Sequence, residues 1–277
     1  MNEARLKQLI RTAVLVELAK RGLYYIPAAI SARHIHLAQE HLEILFGTGA
    51  RLTPKSELSQ HGEFASEQTL EAAGPRGLFK AVRVLGPVRG ATQVELSITD
   101  TYTLGIKPVV RMSGKIEGTP GCTLRGPAGT VDLPSGVIVA ARHVHLSPEQ
   151  AAVYGLKDGD AVSLKLPPPR EGVLGGVVVR VAAGFDLEAH LDTDEANGSG
   201  LLCGTILEMA SAASIMTAAA PFAGTAVDAA LDLVTERDVN KALMSGAGAV
   251  YCSAKGFVSP AAADRAKEKG IAIKRLP

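Results

Sequence analysis

The spacing of apolar and polar positions divides the chain into segments of different structure. Residues 3–20 place leucine, isoleucine and valine at helical spacing opposite charged side chains, which predicts an amphipathic helix ending near Gly22. From 24 to 208 the apolar positions form short β-branched runs separated by glycine and proline, as in Ala81–Leu85 and Val177–Val181. Such runs are typical of barrels or sandwiches rather than of a doubly wound parallel sheet.

The last part of the chain differs again. Residues 209–231 are mainly Ala, Ser, Thr and Gly, too weakly apolar for a transmembrane helix, and we interpret them as a linker. Residues 232–277 contain two helix starts, the second at Ser259-Pro260, and no histidine. We therefore expect a small accessory module outside the functional site.

A seven-residue motif occurs twice in the strand-rich region. Ser31-Ala32-Arg33-His34-Ile35-His36-Leu37 returns 109 residues later as Ala140-Ala141-Arg142-His143-Val144-His145-Leu146. Each copy follows an apolar strand and precedes a short helix-like segment. The repeat indicates two copies of one domain.

Each copy contains a His-x-His pair. Residues i and i+2 of a strand face the same side, so both imidazoles point to one place, where zinc accepts nitrogen ligands. Each half also offers a third ligand on a later strand, Glu95 in the first and His190 in the second. The predicted sets are therefore His34, His36, Glu95 and His143, His145, His190. Three protein ligands leave an open position, as in catalytic zinc sites. We interpret the remaining histidines, His41 and His61, as surface residues.

Charge and cysteine usage exclude several classes of function. The formal net charge is +1 and the basic residues are scattered, so no surface for nucleic acid or an anionic membrane is indicated. The three cysteines are widely spaced, which favours neither disulfides nor a thiolate zinc site. The N-terminal residues lack a secretory apolar run. We expect a cytoplasmic protein.

The signals for phosphate binding are weaker. The glycine-containing segments 47–49 and 246–248 do not continue into a P-loop or a dinucleotide fingerprint. Arg89 lies just ahead of the strand that carries Glu95, where a guanidinium could hold an oxyanion through paired donors. The residues alone leave open whether Arg89 does so or is solvated.

From Ile26 to Gly198 the chain resembles the microcompartment-type phosphate propanoyltransferase family, the phosphotransacylases of propanediol and related degradation organelles. The motifs that carry the resemblance stand in order: Arg33-His34-Ile35-His36-Leu37, Gly86-Pro87-Val88-Arg89, Gln93-Val94-Glu95-Leu96-Ser97, Arg111-Met112-Ser113-Gly114, Gly118-Thr119-Pro120-Gly121, Leu133-Pro134-Ser135-Gly136-Val137-Ile138, Arg142-His143-Val144-His145 and His190-Leu191-Asp192-Thr193-Asp194-Glu195-Ala196-Asn197.

The resemblance implies a mainly β (α+β) fold. It consists of two similar small β-barrel domains with short capping helices. The residues outside the resemblance add the N-terminal amphipathic helix and a small C-terminal α/β extension, as predicted above. The expected boundaries are 1–22 for the helix, as an encapsulation peptide, 32–140 for the first barrel, 23–31 with 141–208 for the second, 209–231 for the Ala-rich linker and 232–277 for the accessory module.

The resemblance also implies the reaction acyl-CoA + phosphate ⇌ acyl phosphate + CoA on short acyl chains such as propanoyl or acetyl. Two zinc ions would lie at the junction of the barrels, one on His34, His36 and Glu95 near the CoA sulfur, the other on the second set. The family's phosphate-contacting arginine corresponds to Arg89. Ala32, Gly90 and Leu191 depart from the usual family residues and leave acyl specificity open.

The family often begins with a helix that targets the enzyme into a bacterial microcompartment. Residues 3–20 resemble that helix and imply shell or cargo proteins as partners, although a helix docked on its own domain is the alternative. A homo-oligomer is also left open. Two other functions stay in view: a dinuclear zinc hydrolase acting on thioesters, and a non-catalytic, zinc-stabilised microcompartment adaptor.

Overall fold

The computed structural model describes residues 3–210, 231–244 and 248–275. The chain forms two compact units, Met1–Ala210 and Ser211–Pro277. The predicted linker at 209–231 lies almost entirely outside the described residues. Within the described ranges, none of the helices is long and apolar enough to cross a membrane.

The helices of the described residues are short apart from the first. They are α1 (Glu3–Ala19), α2 (Gln39–Phe46), α3 (Ile98–Leu104), α4 (Pro148–Tyr154), α5 (Thr193–Ser199), α6 (Glu236–Met244) and α7 (Pro260–Lys269). The strands are β1 (Tyr25–Ser31), β2 (His34–Ala38), β3 (Pro54–Glu57), β4 (Phe64–Ala73), β5 (Leu78–Arg89), β6 (Gln93–Glu95), β7 (Val110–Arg111), β8 (Cys122–Arg125), β9 (Thr130–Leu133), β10 (Val137–Ala140), β11 (His143–Leu146), β12 (Ala161–Leu166), β13 (Gly172–Val181), β14 (Glu188–Asp192), β15 (Ile206–Met209), β16 (Leu231–Val234), β17 (Ala249–Val258) and β18 (Ala272–Arg275). The predicted mainly β class with short helices is confirmed.

Six strands of the first unit close into a barrel in the order β1-β14-β11-β13-β12-β15, and β15 pairs back onto β1. Its core includes Ile26, Val144, Leu164 and Val179, all fully buried. Burying each such side chain contributes roughly 1.5 to 3 kcal/mol. This core fixes the strand that carries the second His pair.

A nine-stranded sheet forms the other part of the first unit, in the order β7-β10-β6-β2-β5-β4-β8-β9, with β3 paired onto β4. Ile35 and Leu37 of β2 are fully buried in its core. Alternate residues of a strand face opposite sides, so this burial turns His34 and His36 to the other face of the sheet.

The sequence repeat corresponds to a repeated arrangement of three strands. In the first copy β2 runs antiparallel to β6 and parallel to β5; in the second, β11 runs antiparallel to β14 and parallel to β13. The register sets His34 opposite Glu95 and His143 opposite His190. Each predicted third ligand therefore lies on the strand beside its His pair.

Matching ion pairs fix this arrangement in both copies. Asp100 and Glu195 complete capping boxes at the N-termini of α3 and α5, the helices that follow the third-ligand strands. Arg33 Nη2 lies 2.7 Å from Asp100 Oδ1, and Arg142 Nε lies 2.6 Å from Glu195 Oε1. The arginine before each His pair is thus tied to the helix after the third ligand.

The N-terminal helix α1 packs on the closed barrel. Thr12, Leu15 and Ala19 are buried, and the last two belong to the barrel core. Leu6 and Ile10 stay 43% and 56% exposed. The apolar face that the helical spacing defines, with Leu6 and Ile10, therefore points to solvent. A different face of the helix packs on the barrel.

The second unit contains a parallel sheet in the order β16-β17-β18. The helices α6 and α7 pack against each other. Its core includes Val234, Val239, Val250, Cys252 and Ala262. The described residues of this unit form the small α/β extension that the sequence predicts.

Candidate active site

One cavity of about 300 Å³ in the first unit is lined by strands of both sheets. Its lining includes all seven residues that sequence analysis assigned to the site: His34, His36, Arg89, Glu95, His143, His145 and His190. The two ligand sets therefore line the same cavity, although each was predicted separately from its own copy of the motif.

The first set converges tightly. His34 Nε2 lies 3.6 Å from Glu95 Oε2, and His36 Nε2 lies 3.8 Å from Glu95 Oε1. Donor atoms on a tetrahedral zinc, each about 2.0 to 2.1 Å from the metal, stand roughly 3.3 to 3.5 Å apart. The spacing of this set is therefore close to that of a zinc site.

The charges in this set suit a cation. Burial would raise the pKa of Glu95, but the coulombic attraction of His34 and His36 and hydrogen bonds from His34 and Ser113 hold it well below its usual range. Burial and the neighbouring His34 lower the pKa of His36 to about 3. Burial opposes protonation of His34 as well, but Glu95 raises its pKa. The set thus offers a carboxylate beside imidazoles.

The second set consists of three histidine rings in mutual contact. The ring centroid of His143 lies 4.6 Å from that of His145 and 5.1 Å from that of His190, and the rings of His145 and His190 are 4.6 Å apart. Burial is the main cause that lowers the pKa of His145 to about 2 and that of His190 to about 3. Neutral imidazole is the form that binds metal.

The two sets are not equally compact. In the part of the chain that the structure describes, only the first trio brings one ligand atom of each residue within 4.8 Å of the others. The rings of the second trio stack, with 4° between the planes of His143 and His190. The second set is therefore a cluster of the right residues with more open spacing.

Backbone carbonyls fix the tautomer of one histidine in each set. His34 Nδ1 lies 2.8 Å from the carbonyl oxygen of Ala32, and His143 Nδ1 lies 2.8 Å from that of Ala141. A carbonyl only accepts hydrogen bonds, so Nδ1 carries a proton, and in the neutral ring that binds metal Nε2 keeps its lone pair. Metal-binding histidines are commonly held in this way.

Several buried polar atoms in and beside the rings have no hydrogen-bond partner among the described residues. His36 Nδ1, His145 Nε2 and one carboxylate oxygen of Glu188 lack a hydrogen bond. That oxygen lies 3.6 Å from His190 Nε2. Buried polar atoms without partners are costly, and a cation on the second set would satisfy His145 Nε2. The donor set therefore fits zinc.

Arg89 is connected to the first set through hydrogen bonds. Its Nη1 donates to Ser113 Oγ at 3.2 Å, and Ser113 Oγ donates to Glu95 Oε1 at 2.9 Å. Its Nη2 donates to Glu63 Oε1 at 3.1 Å. An anion that binds the Arg89 guanidinium must therefore compete with the Glu63 carboxylate.

The other two histidines do not line the cavity. His61 is exposed. His41 is partly buried, and its Nδ1 lies 2.8 Å from Thr92 Oγ1.

Comparison with known proteins covers the region that builds this cavity. Residues 27–202 match the family model described as phosphate propanoyltransferase. The chain belongs to the phosphate propanoyltransferase family. Curated phosphate propanoyltransferases from Rhodobacter capsulatus and Planctopirus limnophila are 46% and 50% identical to it over 176 and 182 residues. These alignments cover 64% and 65% of this chain and 82% and 75% of the relatives. The Salmonella typhimurium enzyme is 44% identical over 195 residues, 70% of this chain and 92% of the relative.

The predicted membership of the phosphate propanoyltransferase family is thereby confirmed. These relatives are acyltransferases by name, which is the enzyme class predicted from the sequence. Every residue that lines the cavity falls within the matched range, whereas α1 and the second unit lie outside it.

The phosphate propanoyltransferase cavity also contains residues that sequence analysis missed. Arg180 lies on β13 in register with His145. Its signal was a single arginine inside the apolar run Val177–Val181. Gln60, between β3 and β4, places Nε2 2.9 Å from His145 Nδ1 and 3.4 Å from His190 Nε2. No sequence pattern marks this glutamine, because it reaches the second set from a loop of the first sheet.

Proposed function

We propose that the protein transfers short acyl groups such as propanoyl or acetyl between coenzyme A and phosphate: acyl-CoA + phosphate ⇌ acyl phosphate + CoA. The observation that carries the proposal is the single cavity that both ligand sets line together with Arg89 and Arg180. The names of the curated relatives support the same reaction.

The cofactor of this proposal is zinc, two ions per chain. His34, His36 and Glu95 would hold one ion, and His143, His145 and His190 the other. Zinc in such sites acts as a Lewis acid toward a carbonyl oxygen or a departing sulfur.

The chain's own residues account for binding and orientation. A phosphate oxygen attacks the thioester carbon, the C–S bond breaks, and coenzyme A leaves as the thiolate, so no acyl-enzyme is required. Arg89 binds the phosphate and orients it for this attack, because a guanidinium grips two oxygens at once. The Glu63 carboxylate holds Arg89 at the cavity until phosphate replaces this carboxylate as the partner of Arg89.

The first prediction separates this reaction from its rivals. Release of the CoA thiol from propanoyl-CoA should require added phosphate and should yield acyl phosphate in equal amount. A dinuclear zinc hydrolase would release the thiol without phosphate, because a metal-bound hydroxide would attack instead. A zinc-stabilised adaptor would give no turnover, and chelation would only lower its melting temperature. Thiol release that is independent of phosphate would contradict the proposal.

We further propose that residues 3–20 attach the enzyme to shell or cargo proteins of a bacterial microcompartment in the cytoplasm. The helix α1 is held on the barrel by Thr12, Leu15 and Ala19, so its apolar face can bind a partner without leaving the barrel. That face carries four exposed apolar side chains: Leu6, Leu9, Ile10 and Val14.

The second prediction tests this face. Replacing Leu6, Ile10 and Val14 by glutamine should weaken sedimentation with microcompartment shells and any self-association by about tenfold or more, because three exposed apolar side chains are lost from the interface. Turnover should stay within about twofold, since none of the three is buried. The control is Lys7→Gln, an exposed change on the same helix. Unchanged association in the triple variant would refute the proposed interface.

A further inference from the structure

Arg180 is one of the arginines that line the cavity. It lies on β13 beside His145 and contacts the ring of Phe185, with 5.5 Å from its guanidinium carbon to the ring centroid. Phe185 in turn stacks on His145 at 3.8 Å. The aromatic ring therefore holds the guanidinium next to the second ligand set.

The other arginines that line the cavity already have acceptors. Arg89 donates to Glu63 and Ser113, Arg33 pairs with Asp100, and Arg83 donates to backbone carbonyls. Within the described ranges, Arg180 has no such hydrogen bond or ion pair. The donors of a guanidinium that has no protein acceptor are available to an anion that enters the cavity.

The carboxylates that act on Arg180 from a distance are occupied elsewhere. They are Asp158, Glu95 and Glu63. Asp158 accepts the backbone N–H of Val181, Glu95 faces the first His pair, and Glu63 pairs with Arg89. Burial and the nearby Arg89 lower the pKa of Arg180, while these three carboxylates act in the opposite direction.

We propose that Arg180 is a second catalytic arginine, which binds the phosphate oxygens of inorganic phosphate and of the acyl phosphate product together with Arg89. The inference rests on the proposed transferase reaction. Phosphate carries up to two negative charges near neutral pH, so one phosphate ion can accept hydrogen bonds from both guanidiniums, from Arg180 directly and from Arg89 in exchange for Glu63. The phosphates of coenzyme A offer the same chemistry and are the other source of such an anion.

The test compares Arg180→Met and Arg180→Lys with the wild-type enzyme, with Arg21→Met as an exposed control that removes the same charge. We expect kcat/KM for phosphate and for acyl phosphate to fall about 10- to 100-fold in Arg180→Met, with a smaller loss in Arg180→Lys. The KM for acyl-CoA and the zinc content should stay near wild type. Stabilisation of the folded protein by added phosphate, read from the melting temperature, should also be lost, and this measurement needs no turnover.

Further measurements, on shortened acyl-CoA substrates and on the wild-type protein, could refute the inference. Acyl thioesters of dephospho-CoA and of pantetheine show whether Arg180 instead binds a phosphate of coenzyme A. If its loss affects only full-length acyl-CoA, the inference is wrong. Normal phosphate kinetics and normal stabilisation by phosphate in both variants would also overturn it. Absence of phosphate-dependent thiol release in the wild-type protein would reject the proposed function itself, whatever the variants do.

Discussion

Replacing His143 and His145 together by alanine should abolish turnover and lower the zinc content from about two ions per chain to about one. The change removes two of the three imidazoles of the second set, and a single remaining histidine does not hold zinc. The first set is carried by other strands, β2 and β6, so its metal should remain. Metal analysis of the purified variant and a thiol-release assay with phosphate measure the two effects.

The matched control for the double replacement is His61→Ala. His61 is exposed and does not line the cavity, so its loss should leave both zinc content and rate unchanged. The melting temperature of the double variant must also be recorded, because both histidines are buried. A folded double variant that keeps its activity would assign the pair a structural role.

Replacing Arg89 by alanine should slow acyl transfer by about 30- to 1000-fold, which corresponds to roughly 2 to 4 kcal/mol of lost transition-state stabilisation. Arg89→Lys should also impair the reaction, because an ammonium group cannot grip two phosphate oxygens side by side. The zinc content should not change, since Arg89 reaches Glu95 only through Ser113. Turnover as a function of phosphate concentration gives the rate and the apparent affinity.

A variant of Glu63, the partner of Arg89, complements this experiment. Because Glu63 accepts a hydrogen bond from Arg89, Glu63→Gln should keep turnover and leave phosphate binding equal or tighter. For Arg89→Ala, the control is Arg51→Ala, an exposed change elsewhere that also removes one positive charge. A normal rate and a normal apparent phosphate affinity in both Arg89 variants would remove Arg89 from the site, and loss of zinc would reassign it to the metal centre.

Much of the site could be predicted from the sequence because the ligand residues occur in strands. A His-x-His pair repeated in two copies predicts which side of each strand carries the ligands, and a later strand in each half offers a third ligand. The structure accordingly sets Glu95 opposite His34 and His190 opposite His143. Local alternation was sufficient in these cases, since one neighbouring strand completes each set.

Other features depend on contacts that alternation does not encode. Gln60 reaches His145 from a loop, and Arg180 enters the cavity because β13 pairs with β11 in one particular register. The helix α1 was predicted correctly, but its docked side was not evident. The face with Thr12, Leu15 and Ala19 packs on the barrel, while the face with Leu6 and Ile10 stays exposed.

The strand β1 has a consequence for the order in which the first unit is assembled on the ribosome. It is synthesised before the whole nine-stranded sheet, yet its partners are β14 and β15. The nine-stranded sheet has all its strands once residue 140 has emerged, whereas the barrel cannot close until β15, which ends at Met209, has left the exit tunnel. Until β14 has emerged, β1 has no strand partner, although it is tethered to a neighbouring sheet that already has all its strands. The nascent chain thus carries the first ligand set before the cavity that encloses it exists.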